Sequence, residues 1–121
     1  MQKIFVTRRL PKIAVSMLEA CYEVTAIQKN EPYPHDELKE IVKEYDGVLC
    51  TISDKFDADV LSHSKQLKII SNYAIGLDNI DVDYAKNIGI SVCNTPDAVT
   101  NSTADLTMGL LLSLIRHIPE A

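Results

Sequence analysis

A chain of 121 residues is long enough for one compact domain, which buries about two-thirds of the surface its unfolded form exposes. Its 46% hydrophobic and 24% charged content, with four Gly and five Pro, matches an ordinary globular protein and excludes a disordered or fibrous chain. The 12 Lys and Arg against 17 Asp and Glu give a net charge of −5, which disfavours a broad phosphate-binding surface and hence nucleic acid as a partner.

From the N-terminus, Met1-Gln2-Lys3-Ile4-Phe5-Val6 passes directly into an apolar strand without the layout of a signal peptide, so a cytoplasmic protein is expected. The first strand is Ile4 to Thr7. After Pro11, residues Ile13, Ala14, Met17, Leu18 and Cys21 recur at helical spacing. Glu23 to Ile27 reads as a second strand, Pro32 and Pro34 interrupt the chain, and Asp36 to Tyr45 places Leu38, Ile41, Val42 and Tyr45 on one helical face. A third strand, Gly47 to Ile52, leads to a helix over Ala58 to Ser64. A fourth, Leu67 to Ser71, leads through a loop to a helix over Val82 to Asn87. Gly89 stands where a helix end calls for a left-handed residue, Ile90 to Cys93 is the fifth strand, and a last helix runs from about Ser102.

Strands alternating with helices imply a parallel sheet with helices on both faces, and near-continuous apolar strands imply burial on both sides. The expected fold is α/β and flavodoxin-like, with five parallel strands in the order 2-1-3-4-5. Ligands in such sheets bind beyond the carboxyl ends of the strands, which directs attention to the loops after Thr7, Ile52, Ser71 and Cys93.

Cys21, Cys50 and Cys93 are odd in number and form no CxxC pair, so they are expected to be reduced, mostly buried core residues, and no metal site is expected. The apolar stretch from Leu106 to Ile118 is interrupted by Arg116 and His117 and is too short for a membrane span. His35 and His63 read as solvated, and His117 as a cation near a helix C-terminus. Asp54 follows the third strand as a phosphorylated aspartate does in receiver domains. The first strand, however, ends in Thr7-Arg8-Arg9 without the acidic pair that magnesium needs.

Two loops bear a chemical signal. In Asn72-Tyr73-Ala74-Ile75-Gly76-Leu77-Asp78-Asn79-Ile80-Asp81, Gly76 permits close approach of a ligand and exposed N–H groups suit a carboxylate. The same residues also read as a plain strand-to-helix turn with Asp81 as the helix cap. In Asn94-Thr95-Pro96-Asp97-Ala98-Val99-Thr100-Asn101-Ser102-Thr103, the Thr103 hydroxyl near a helix start suits a phosphate or a cofactor amide. The alternative there is an ordinary cap made by Asn101 or Ser102.

Together, Ile69 to Asp81, Gly89-Ile90, Asn94-Thr95-Pro96 and Thr103-Ala104-Asp105-Leu106 resemble the D-2-hydroxyacid dehydrogenase family over nearly the whole chain. Thr7-Arg8-Arg9-Leu10-Pro11 and Asp46-Gly47-Val48-Leu49 are similar to its glyoxylate and hydroxypyruvate reductase branch. The resemblance implies a substrate domain over residues 1–100 and an interdomain helix over 101–121. That helix leads toward a Rossmann domain for NAD or NADP, and a small 2-oxo acid is reduced to a D-2-hydroxy acid between the two domains. It also implies that the N–H groups of Ile75 and Gly76 hold the substrate carboxylate, that Ala74 and the loop around Ser53 shape the pocket, and that Thr103 touches the cofactor.

In the family an Arg polarises the 2-oxo group and a His paired with a carboxylate supplies the proton, and all three lie further along than this chain extends. No G-x-G-x-x-G segment is present, since the four glycines are Gly47, Gly76, Gly89 and Gly109. The 121 residues alone are therefore expected to be inactive and to hold no cofactor tightly. Leu106, Met108, Leu110, Leu111, Leu112, Leu114, Ile115 and Ile118 cover more than the apolar stripe of a surface helix, so self-association or a homodimer through this helix is expected. The rival reading is a free-standing flavodoxin-like module that binds or dimerises without chemistry. A flavin-binding flavodoxin is disfavoured because Thr7 to Pro11 lacks a hydroxyl-rich glycine loop.

Overall fold

The computed structural model describes residues 1–27 and 29–121. Its elements in chain order are β1 (Lys3–Val6), α1 (Lys12–Glu19), β2 (Glu23–Ala26), α2 (His35–Glu44), β3 (Gly47–Cys50), α3 (Ala58–Ser62), β4 (Ile69–Asn72), α4 (Val82–Asn87), β5 (Ser91–Cys93) and α5 (Thr100–Ile115). All strand pairs are parallel, in one sheet ordered β2-β1-β3-β4-β5. Every expected element is present, with ends displaced by one or two residues.

Local chemistry explains the helices that pack well. Leu38, Ile41 and Val42 of α2 sit three and four apart and are all buried, while Asp36 and Glu37 in the first turn and Lys43 in the last complement the helix dipole. Asp57 caps α3 by accepting from the Val60 N–H, and Asp81 caps α4 by accepting from the Tyr84 N–H. Gly89 follows α4 at φ +83°, a conformation that favours glycine. In contrast, α5 has no side-chain cap: Val99 stands at its N-cap position, where Asn101 or Ser102 was expected.

The core is one-sided. Phe5 of β1, Val48 and Cys50 of β3 and Ile70 of β4 pack with Leu38, Val42, Phe56, Val60, Leu61 and Ala85, which belong to α2, α3, α4 and the segment before α3. Because strand side chains alternate, Ile4, Leu49, Ile69 and Ser71 point to the opposite face. There they line an open groove of about 260 Å³ together with Leu18 and Tyr22 from the end of α1. No residue of α1 is buried, and Ile13 and Met17 lie exposed. Ile4 and Val6 are buried on that opposite face too, but the groove beside them leaves it less completely covered than the α2–α4 face.

The last helix exposes the apolar surface expected of it. It makes no substantial packing contact with the sheet, no residue of it is buried, and Leu106, Leu110, Leu111, Leu112 and Leu114 are all exposed. His117 lies just beyond its end, as expected near the helix C-terminus, in a left-handed conformation at φ 53°. Among the described residues, no helix is long and apolar enough to cross a membrane.

Candidate functional site

Strand order places the loops after β1, β3, β4 and β5 side by side along one edge of the sheet, with the switch in chain direction between β1 and β3. A buried charge pair spans that switch. The Asp54 carboxylate is fully buried and accepts from the Thr7 hydroxyl at 2.5 Å, from Arg8 Nη2 at 3.0 Å and from the Tyr33 N–H at 3.2 Å. The Arg8 side chain is 11% exposed, donates in addition to Ser53 Oγ at 3.1 Å, and reaches the Asn30 carbonyl. Ser53 is itself exposed, so a residue expected to border substrate is clamped by Arg8 from the loop after β1.

The loop after β4 is tied down through its carbonyls. Thr95 N–H donates to the Ala74 carbonyl at 3.0 Å, Asn94 Nδ2 to the Ile75 carbonyl at 2.8 Å, and Asn72 Nδ2 to the Gly76 carbonyl at 2.9 Å. In a trans peptide the N–H points opposite to the C=O of the same unit. The Ile75 N–H, paired with the Ala74 carbonyl, and the Gly76 N–H, paired with the Ile75 carbonyl, therefore both face away from residues 94 and 95. Among the described residues neither N–H has an acceptor. Two neighbouring uncommitted donors form the kind of backbone cradle that takes a carboxylate without a second full charge. Ala74 lies just upstream, half-buried, with its N–H turned back to the Asn72 carbonyl.

The loops after β3 and β4 are joined at two places. Phe56 and Ile80 form an isolated parallel bridge, with the Phe56 N–H donating to the Asn79 carbonyl at 2.7 Å and the Asp81 N–H to the Phe56 carbonyl at 2.9 Å. Beside it, buried Asn79 donates through Nδ2 to the Asp54 carbonyl at 2.9 Å and the Thr51 carbonyl at 3.2 Å, and its Oδ1 accepts from Asn72 Nδ2 at 2.9 Å. Asn72 Oδ1 accepts from the Cys50 thiol at 3.3 Å. Burial pushes that thiol far above its ordinary range, and the Asp54 charge adds to the effect, so Cys50 is a neutral donor here.

Ile75 and Thr103 share a groove of about 520 Å³ whose other walls are Val99, Thr100, Ala104, Thr107 and Met108. Thr103 opens α5, its N–H bonded to the Val99 carbonyl and its carbonyl to the Thr107 hydroxyl, and its own hydroxyl has no partner among the described residues. Ser53 and Gly76 do not line this groove.

Other expectations need correction. Cys21 and Cys93 are exposed and only Cys50 is buried, because Cys21 lies in the turn after α1 and Cys93 ends an edge strand. His35 and His63 are both partly exposed, and each also has protein partners. His35 Nε2 lies 3.0 Å from Asp57 and Nδ1 3.6 Å from Asp59, and His63 Nδ1 lies 2.7 Å from the Asp59 carbonyl. His35, Asp57 and Asp59 form the one group of three potential metal ligands found among the described residues. Lys39 sits 2.7 Å from Asp59 and already balances its charge, so the cluster reads as a tie between α2 and α3.

Residues 4–110 match the sequence model of a family described as D-isomer specific 2-hydroxyacid dehydrogenase, catalytic domain. Glyoxylate reductase from Pyrococcus furiosus is 41% identical over 116 residues, which cover 96% of this chain and 34% of that protein. A crystal structure from Thermus thermophilus superposes with a TM-score of 0.87 at 38% identity, over 98% of this chain and 38% of the other. A crystal structure of an NADPH-dependent glyoxylate/hydroxypyruvate reductase from Sinorhizobium meliloti, in complex with citrate, superposes with a TM-score of 0.79 at 26% identity, over 100% and 37%. The chain spans about a third of the length of the curated relatives it matches.

Proposed function

The chain belongs to the D-isomer-specific 2-hydroxyacid dehydrogenase family, and we propose that it is the substrate-holding half of an oxidoreductase that moves hydride between NAD(P)H and a small 2-oxo acid. The observation that supports this reading most is the pair of uncommitted N–H groups at Ile75 and Gly76, set by carbonyls held from behind. A carboxylate seated there would have its 2-oxo carbon directed to the open side of the loop, with Ala74 and the Ser53 turn as walls. Residues 1–100 would be the substrate domain, and 101–121 the helix that leads to the cofactor half.

The residues present do not by themselves fit a dinucleotide. The groove at Thr103 is walled mainly by apolar groups and threonines, holds no basic side chain, and has no glycine-rich turn beside it. Thr103 would contribute one hydroxyl at the edge of a cofactor held elsewhere. The groups that polarise the 2-oxo group and give a proton to its oxygen would likewise come from outside these residues, so the 121-residue chain alone would not turn over substrate. Three free cysteines fit a reducing, cytoplasmic setting.

A second reading, self-association, is favoured by α5, which exposes leucines around its whole circumference. Pairing with a second copy would cover that surface. Sedimentation velocity should show association that weakens in Leu110→Glu; a monomer at every concentration would remove the idea.

Calorimetric titration of the chain with glyoxylate, hydroxypyruvate and NADH tests the principal reading. Weak acid binding, with amide shifts centred on Ile75 and Gly76, and no measurable NADH binding are expected. Turnover by the chain alone, or acid-induced shifts located elsewhere, would refute it.

A further inference from the structure

Besides the Arg8–Asp54 pair under the Ser53 turn, the side chains that hold the two loops are neutral asparagines, and one of them is shared between the loops. Asn72, Asn79 and Asn94 together take up the carbonyls of Thr51, Asp54, Ile75 and Gly76. Asn79 is central to this frame. Its two donor hydrogens serve the two ends of the turn that carries Ser53, and its acceptor receives Asn72, whose other hydrogen reaches Gly76. Only a carboxamide supplies this set. Aspartate would face two carbonyls without a hydrogen to offer, and an apolar isostere would leave the Asn72 N–H and two carbonyls unmatched in a buried place.

We propose that Asn79 is a positioning residue that couples the Ser53 turn to the Ile75 and Gly76 amides, so that both walls of the carboxylate pocket move as one body. The proposal rests on the carboxylate-binding reading above. Coupling and folding are separable here because the backbone bridge between Phe56 and Ile80 joins the same loops without the Asn79 side chain. Loss of that side chain leaves the bridge and frees the two loop tips.

The test is a comparison of backbone amide spectra of the chain and its Asn79→Ala variant, with oxamate as an unreactive mimic of a small 2-oxo acid. Without ligand, the variant should shift and broaden the amides of Ser53 and Gly76 together while those of Val48 and Ile70 stay in place. Its oxamate affinity should fall about tenfold or more, as expected when charge-binding donors lose their aim. Asn94→Ala, which releases only the Ile75 carbonyl, should disturb Ile75 and Gly76 and leave Ser53 unchanged. Unchanged Ser53 and Gly76 amides in Asn79→Ala, or a change in only one, would overturn the proposal. Should that variant not fold, Asn72→Ala cuts the frame between Asn79 and Gly76. Gly76 should then loosen with Ser53 still ordered, and an unaltered Gly76 would overturn the proposal. If the unmodified chain ignores oxamate, the carboxylate reading fails, and the ligand-free comparison still decides the coupling.

Discussion

Truncating Asp54 to alanine removes the acid that neutralises Arg8 at the switch point of the sheet. The carboxylate is fully buried and the Arg8 side chain nearly so, and the Thr7 hydroxyl and Tyr33 N–H lose the same acceptor. Breaking one side of a buried ion pair costs about 3–5 kcal/mol. Arg8 keeps Ser53 Oγ and the Asn30 carbonyl, which places the expected cost near the lower end, about 3 kcal/mol. An unfolding entropy of roughly 2.1 cal/mol/K per residue gives about 0.25 kcal/mol/K for a chain of this length, so Tm should drop by about 12 K. Arg8→Met should cost about 1–2 kcal/mol, because Asp54 retains the Thr7 and Tyr33 donors. The double variant Arg8→Met with Asp54→Leu should be less destabilised than the sum of its singles by at least about 1 kcal/mol. Circular dichroism melts on the four proteins decide the matter. An Asp54→Ala variant within about 1 kcal/mol of the parent, or strictly additive singles, would refute the argument that this pair is coupled and buried.

Thiol labelling of the native chain should modify Cys21 and Cys93 rapidly and Cys50 only after unfolding, since burial holds its thiol protonated; fast labelling of all three would contradict that assignment. The Val60 N–H, ahead of His35, holds the Asp57 carboxyl below its ordinary range, so its contribution is fully present above about pH 4 and is lost as pH falls through the lower folded value. Asp57→Ala should cost about 1 kcal/mol at neutral pH and less in acid, read from urea midpoints against pH, and a cost that grows in acid would contradict the sign. Gly89→Ala meets no neighbouring atom but forces a side chain to φ +83°, so a loss of about 1 kcal/mol with intact spectra is expected.

The fold was legible because each strand is a short apolar run and each crossover helix carries its own marks, such as Leu38, Ile41 and Val42 on α2 or the capping aspartates of α3 and α4. Ile75, Gly76 and Thr103 are singled out by the resemblance to the family motif, and the structure places Ile75 and Thr103 on one groove. What escaped were the contacts between distant loops. Arg8 to Asp54 spans 46 residues and Asn79 to Asp54 spans 25, distances over which no periodic pattern reports a hydrogen bond. The available signal was opposite charges placed just beyond two strands that the order 2-1-3-4-5 makes neighbours. Asn72, Asn79 and Asn94 passed as turn formers because asparagine favours turns for local reasons as well. The bare α1 face escaped because Ile4, Leu49 and Ile69 have the composition of buried positions whether or not anything covers them.

The frame around the two loops is built from carboxamides, which neither gain nor lose a proton and carry no net charge for dissolved ions to screen. The asparagine links between the two loops should therefore be indifferent to acidity and ionic strength, whereas the Ser53 turn hangs in addition on the Arg8–Asp54 pair. Any dependence of acid capture on pH or salt then reports on the anion itself, on the Arg8–Asp54 pair under the Ser53 turn, or on groups brought to the pocket by whatever covers it. A cradle that does not titrate leaves the proton chemistry of a reaction wholly to its other participants.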